Sequence, residues 1–257
     1  MARTDEIGEL GHRFDEMAER IEGLLVSEKE LLANVAHELR TPLTRIGVAL
    51  DLASEGDGEA ARASLAEIAV DVNELEAIVD DILTAMRFEI AAGQAPTPSL
   101  PLHRAPTRAG EIATASASRF RDRHGQRALE VDIAADLPRI DVDPMLLRRV
   151  LDNLLENAHK YTPDPAAAIR LRTSQIGDLV RYEVADRGIG IAPDDLPRVF
   201  TAFFRGEKSR SRETGGVGLG LTLAKRIVEA HDGTIDVASE VGKGTTVAVM
   251  VPIVDEK

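Results

Sequence analysis

The segment Asn34-Val35-Ala36-His37-Glu38-Leu39-Arg40-Thr41-Pro42-Leu43 holds the residues of this chain best suited to covalent chemistry. His37 has a carboxylate, Glu38, directly beside it and a hydroxyl, Thr41, four residues on. On a helix, at about 100° per residue, an i, i+4 pair shares one face. The apolar positions Leu39, Leu43, Ile46, Leu50 and Ala53 keep helical spacing and are expected to form one buried face, with His37 and Thr41 projecting opposite it. A neutral imidazole held in solvent beside a carboxylate is a competent nucleophile near neutral pH. A lone histidine in such a setting is ordinarily just part of a charged, solvated face. Its chemistry therefore depends on an electrophile bound elsewhere in the chain.

A second set of residues has the types needed to bind a nucleotide. Asn153-Leu-Leu-Glu-Asn157-Ala-His-Lys160-Tyr161 places two amides four residues apart, hence on one helix face. Mg2+ is a hard ion that takes oxygen ligands and keeps much of its water, so amide oxygens backed by phosphates suit it. In Asp186-Arg-Gly188-Ile-Gly190-Ile191 a carboxylate at a strand end can accept from the exocyclic amine of adenine, and the glycines let the backbone approach a base closely. Alone, that pattern is commonly only a turn. Gly215-Gly216-Val217-Gly218-Leu219-Gly220-Leu221 opens a helix, where successive backbone N–H groups bind phosphate. Upstream of it, Gly206–Thr214 is polar and carries Lys208, Arg210 and Arg212. No G-x-x-x-x-G-K-[ST] loop and no HRD or DFG set is present.

The elements that must position these residues fall into two groups. Ile7, Leu10, Phe14, Met17, Ile21, Leu24, Glu28, Leu31 and Val35 follow the 3-4 spacing of a coiled-coil seam. The next core residue, Leu39, comes four on instead of three, and Pro42 follows, so a phase shift and a kink flank His37. They mark either a place where the helix rearranges or an ordinary stutter. Ser54–Gly58 breaks the helix, and a second seam runs through Leu65, Ile68, Val72, Leu75, Val79, Ile82 and Met86. Two such helices form an antiparallel hairpin that cannot cover its own stripe, so two hairpins should pair as a four-helix bundle and the protein should be a homodimer. The pattern stops from Ala91 to about Thr107, a proline-rich stretch read as a linker over 91–106. Beyond it, helices are predicted near Arg108–His124, Pro144–Lys160 and Gly218–Ala230. Strands are predicted at Ala128–Ile133, Ile169–Thr173, Leu179–Ala185, Thr234–Ala238 and Thr245–Val251. This order argues for an α+β sandwich with helices on one face of a mixed sheet.

These motifs resemble, in the same order, those of two-component sensor histidine kinases. The ten residues around His37 resemble the phospho-acceptor box almost letter for letter. The Asn153, Asp186 and Gly215 motifs, with the aromatic box Phe200-Thr-Ala-Phe203-Phe204-Arg205, resemble the histidine-kinase ATPase domain, whose Bergerat-type fold also occurs in gyrase, heat-shock chaperone and mismatch-repair ATPases. The resemblance makes His37 the phosphorylated residue, with Glu38 orienting or accepting its proton and Thr41 positioning water for dephosphorylation of a response regulator. It makes Asn157 the Mg2+ ligand with Asn153 assisting. Lys160 and Tyr161 are then set near the nucleotide with Asp186, Gly188, Gly190, Arg205, Gly216, Gly218 and Gly220, and Gly206–Thr214 becomes a lid. Asp5-Glu6-Ile7-Gly8 resembles the end of a HAMP signalling module, which gives four segments. Residues 1–27 are a HAMP-end helix, 28–90 a dimerisation and phosphotransfer hairpin, 91–106 a linker, and 107–254 a catalytic ATP-binding domain.

Composition sets the outer limits. The 257 residues carry a formal charge of −13, which argues against a nucleic-acid or anionic-membrane surface. Two tyrosines, six phenylalanines and no tryptophan leave a core of aliphatic residues, and the absence of cysteine excludes disulfides and thiolate metal sites. No apolar run is long enough to span a bilayer. The chain enters a helical repeat at once and is expected to be the cytoplasmic portion of an inner-membrane protein, whose membrane segment lies outside this sequence. The expected activity is ATP-dependent phosphorylation of His37 and transfer to the aspartate of a response-regulator receiver domain. The alternatives are a chaperone- or gyrase-like ATPase, which would need a water-activating Glu where Asn153 stands, and a non-catalytic nucleotide-binding dimeric coupler.

Overall fold

The structure is a computed structural model; it describes residues 13–14, 17, 33, 35–36, 39–54, 58–94, 102–202, 204 and 218–254. The chain divides into two compact units, Met1–Ile78 and Val79–Lys257. Helix α1 covers 39–54 and runs unbroken through Pro42, and helix α2 covers Gly58–Gln94 and passes through the unit boundary. Most of the seam predicted upstream of Val35 lies outside the described residues; Phe14 and Met17 are helical and exposed. Among the described residues no helix is long and apolar enough to cross a membrane.

The hairpin splits the faces predicted for it. On α1, Pro42 and Ala49 are buried and Ile46 and Ala53 half-buried, while Leu43 and Leu50 are 56% and 53% exposed. On α2 the inward line is Ser64, Ile68, Asp71, Leu75 and Ile78, while Leu65 and Val72 are 59% and 41% exposed. A single hairpin thus covers only part of the buried face expected on α1. One half of each apolar seam packs inside the hairpin and the other half points outward, because a two-helix unit can bury only one stripe of each helix. Asp71 is tolerated in the inward line because the Arg45 guanidinium reaches it at 2.5 Å.

The second unit is built on a five-stranded mixed sheet of order β2-β4-β5-β7-β6, with β2 Leu129–Ile133, β4 Ile169–Ile176, β5 Leu179–Ala185, β6 Thr234–Glu240 and β7 Gly244–Pro252. β2 and β4 are parallel, as a connection through a helix requires, and the other neighbours are antiparallel. Alternation assigns the two faces. Leu171, Val180, Tyr182, Val184, Val247 and Val249 point into the core against α3 (Ala109–Arg123), α4 (Pro144–Lys160) and α5 (Gly220–Ala230). The opposite face carries cross-strand ion pairs, Arg170 with Glu130 at 3.0 Å and Arg172 with Asp132 at 3.1 Å. Helices on one face and charges on the other make the α/β sandwich expected from the element order.

Two strands are additions to that expectation. β1 (Ala105–Arg108) and β3 (Arg139–Val142) form a separate antiparallel pair. β3 is four residues long, too short for a period to be read; its pairing with β1 defines it, and Ile140 and Val142 are buried. β1 contains Pro106, which lacks a ladder donor and suits a strand with a single neighbour. Helix α2 continues to Gln94, so both it and β1 enter the stretch read as linker.

Candidate nucleotide site

Helix α4 begins where its sequence says it should. The carboxylate of Asp143 caps it by accepting from the N–H groups of Met145 at 3.0 Å and Leu146 at 3.2 Å, and Pro144 occupies the first turn, where no N–H is needed. Leu147, Val150, Leu151, Leu154 and Leu155 bury one face. That rotation leaves Asn153 and Asn157 half-buried on an adjacent face, turned to the start of α5. The Asn153 Nδ2 donates to the carbonyl of Gly220 at 3.4 Å. A Cβ on Gly220 would lie 3.8 Å from the amides of both asparagines. The first residue of α5 therefore meets the amide pair, as the motif order implies.

The carboxylate of Asp186 is held from two directions. Its Oδ1 accepts the N–H of Gly188 at 2.8 Å and that of Thr245 at 3.1 Å, and its own N–H donates to the carbonyl of Thr245 at 2.9 Å. Burial pushes this carboxyl above the ordinary range, and the two backbone donors pull it back. With Oδ1 saturated, Oδ2 remains for a ligand donor. The glycines are required by contact. A Cβ on Gly188 would fall 2.1 Å from the carbonyl oxygen of Tyr161, and one on Gly190, at φ +67, would fall 2.1 Å from that of Glu240. Tyr161 ends α4, and its carbonyl accepts the N–H of Ile189 at 3.0 Å, so the Asp186 loop is fastened to the helix that carries the asparagines.

Of the other predicted residues, Lys160 lies 5.4 Å from the Tyr161 ring, Gly218 has φ +75 just before α5, and Phe200 and Phe204 carry Lys225 and Arg198 against their rings. Thr41 is exposed on α1. His37, Glu38, Arg205, Gly216 and the whole of the expected lid, Gly206–Thr214, lie outside the described residues. Glu156 does not face the amide pair. Its carboxylate takes the Arg123 guanidinium at 2.5 Å and the Nε2 of His124 at 2.9 Å, both at the end of α3.

The turn between β6 and β7 was missed. Ser239, Gly242, Gly244 and Thr245 clasp the Asp186 loop: Gly242 donates to the carbonyl of Ile189 at 2.9 Å, and a Cβ on Gly244, at φ +111, would fall 2.1 Å from the carbonyl of Asp186. A Gly-x-Gly-Thr between two strand-like runs was the available signal.

Two family models match the chain: His Kinase A (phospho-acceptor) domain over residues 27–89, and Histidine kinase-, DNA gyrase B-, and HSP90-like ATPase over residues 142–255. Sensor-like histidine kinase SenX3 of Mycobacterium tuberculosis (strain ATCC 25618 / H37Rv) is 34% identical over 237 residues, covering 90% of this chain and 55% of that protein. The solved structure of the mycobacterial sensor histidine kinase MprB matches at 30% identity and TM-score 0.53, over 58% of this chain and 98% of that one. Full-length ShkA in complex with AMPPNP matches at 30% identity and TM-score 0.60, over 86% of this chain and 45% of that one. The chain spans about half the length of the curated relatives it matches.

Proposed function

The chain belongs to the sensor histidine kinases of two-component systems, and on that premise we propose that it binds ATP with Mg2+ in its second unit and transfers the γ-phosphoryl group to His37. The observation that carries this reading is that the Asp186 loop is fastened to the end of α4 at Tyr161, and that the Asn153–Asn157 amides of the same helix meet the first residue of α5. A carboxylate oxygen that accepts no N–H among the described residues suits the exocyclic amine of adenine. The amide oxygens fit a hard cation that relies on phosphate and water for its remaining ligands, and Asn157 and Asn153 would hold it. Bound there, Mg2+ would neutralise charge on the phosphates. The N–H groups opening α5 at Gly220, with Gly216 and Gly218 before it, suit phosphate oxygens.

In the transfer, an imidazole nitrogen of His37 attacks the γ-phosphorus, the bond to the β,γ-bridging oxygen breaks, and ADP leaves. Glu38 takes or orients the proton on the other ring nitrogen, which keeps the attacking one basic. The transferred group is loosely bonded in flight, so positioning and cationic contacts supply most of the rate, and Lys160 and Arg205 are the proposed contacts. The receiver-domain aspartate of a response regulator then accepts the phosphoryl group. A homodimer, a HAMP-end helix over 1–27, the hairpin over 28–90, a linker over 91–106, the ATP-binding domain over 107–254 and membrane attachment outside this sequence belong to the same proposal. Full-length ShkA, matched above, was solved with the ATP analogue AMPPNP, which supports the nucleotide assignment.

The test is direct. Incubated with Mg2+ and γ-labelled ATP, the chain should gain an acid-labile, alkali-stable phosphoryl group that His37→Gln abolishes. Label surviving that substitution overturns the acceptor, and no labelling alongside continuous phosphate release favours a hydrolysing ATPase.

A further inference from the structure

The geometry points to Ser239 as a residue that sets adenine selectivity at this site without touching the base, an inference that rests on Asp186 recognising the exocyclic amine. Ser239 sits on β6, on the side of the sheet that faces the helices. Its hydroxyl oxygen accepts the N–H of Ile191 at 2.9 Å, and its hydroxyl donates to the carbonyl of Gly244 at 2.9 Å. The hydroxyl of Thr245 lies 2.9 Å away. Serine has one hydrogen, already given to Gly244, so Thr245 is the donor in that last contact. Ser239 thereby joins two segments that are far apart in sequence, the loop 186–191 and the turn 240–245.

Those two segments supply the two restraints on the Asp186 side chain. Oδ1 accepts one N–H from the loop, Gly188, and one from the turn, Thr245. The direction of Oδ2 follows from the spacing between loop and turn, and Ser239 ties that spacing at the loop's far end. Removing its hydroxyl leaves the Ile191 N–H without its acceptor and frees the far end of the loop, which is then held to the turn by the Gly242 N–H to Ile189 carbonyl bond and by the pairing of Asp186 with Thr245. The Asp186 carboxylate then spends part of its time turned from the amine. The amide pair of α4 and the first turn of α5 take no hydrogen bond from Ser239, so the phosphate end of the site is unchanged. Ser239 is accordingly a positioning residue for base recognition alone.

The measurement is calorimetric titration of the full chain with Mg·ADP and Mg·IDP, since IDP has a carbonyl where ADP has the amine. Wild type should bind ADP more tightly. Ser239→Ala should weaken ADP about tenfold, the scale of one lost hydrogen bond, and change IDP by less than about twofold. Ser239→Thr, which keeps the hydroxyl, should restore the ratio. If Ser239→Ala does not fold, Ser239→Cys, with similar volume and a weak acceptor, should show the same selective loss. Asp186→Asn is the control on the underlying reading, because an amide can turn its N–H toward the IDP carbonyl, and the ADP preference should collapse. Equal weakening of ADP and IDP in the Ser239 variants would make Ser239 merely structural and overturn the inference. An unchanged ratio in the Ser239 variants with a collapsed ratio in Asp186→Asn also overturns it, leaving adenine recognition intact. An unchanged ratio in Asp186→Asn overturns the adenine reading and this inference with it.

Discussion

The Nε–H of Arg127 donates to the Nδ1 of His159 at 3.2 Å. A ring nitrogen that accepts carries no hydrogen, so His159 is held neutral with its proton on Nε2. Three of the remaining four hydrogens of Arg127 go to the carbonyls of Thr162, Asp164 and Ala167, which fixes the chain just after α4. The His124 ring stacks on His159 at 3.9 Å, and Glu156 and Arg123 complete the charged surroundings. His231 is neutral for a related reason: Nε2 accepts the N–H of Asp143 at 2.9 Å, and Nδ1 donates to the carbonyl of Ile227 at 2.7 Å.

Both histidines should make the fold acid-sensitive. Burial, foremost, pushes each below the ordinary 6.5; His124 and Arg127 add to this at His159, while Glu156 opposes it. With the folded value depressed, the unfolded chain takes up the proton first. The stabilisation is thus present above pH 6.5 and is lost as pH falls through the folded values. Thermal midpoints should drop between about pH 7.5 and 5.5, and less in His159→Gln, whose amide oxygen can still accept from Arg127. Asp152 and Asp186 shift upward by burial, so the comparison of variants isolates the histidine effect. Identical pH slopes in wild type and His159→Gln would remove His159 from this account.

Gly188→Ala should weaken nucleotide binding while leaving the sheet folded. The new Cβ would stand 2.1 Å from the Tyr161 carbonyl oxygen, a backbone atom that cannot rotate away. The loop must move off α4, and ADP affinity should fall by at least about tenfold, or 1.4 kcal/mol. Calorimetry on the variant, with circular dichroism to check folding, decides it.

Glu156→Gln should leave phosphate release from the ATP-binding unit unchanged. Its carboxylate is committed to Arg123 and His124, and Asn153 cannot take a proton, so no base stands ready to activate water in α4. The second unit alone should therefore release phosphate very slowly. Sustained turnover that Glu156→Gln removes would instead support the hydrolysing alternative.

Leu65→Glu with Val72→Glu should dissociate the protein. These side chains are the outward half of the α2 seam, and burying each Leu or Val against a second copy is worth roughly 1.5–3 kcal/mol. Sedimentation should show a wild-type dimer at micromolar concentration and a monomer for the double variant. A monomeric, fully active wild type would contradict the bundle.

Thr41→Ala should change stability by less than about 0.5 kcal/mol, as an exposed substitution does. Autophosphorylation should persist and regulator dephosphorylation should fall, which assays of both activities on the same preparation will separate. Equal loss of both would give Thr41 a structural part.

Helical and strand periodicities are local properties, so sequence alone determined that Asn153 and Asn157 share a face of α4, that Asp186 closes a strand, and that α1 and α2 each carry an apolar seam. Which part of a seam faces inward is not local. Leu43 and Leu65 read like Ile46 and Ile68, and only the packing of one helix on the other turned the first pair outward and the second pair inward. The clasp on Asp186 was equally out of reach, because Thr245 is 59 residues away and reaches it only after β5 and β7 pair. The short strands β1 and β3 also exist only through each other, since four residues define no period and a backbone donor finds its acceptor across space. Residue types and spacing named the chemistry at the site, and long-range pairing set where its carboxylate, its amides and its exposed apolar stripe point.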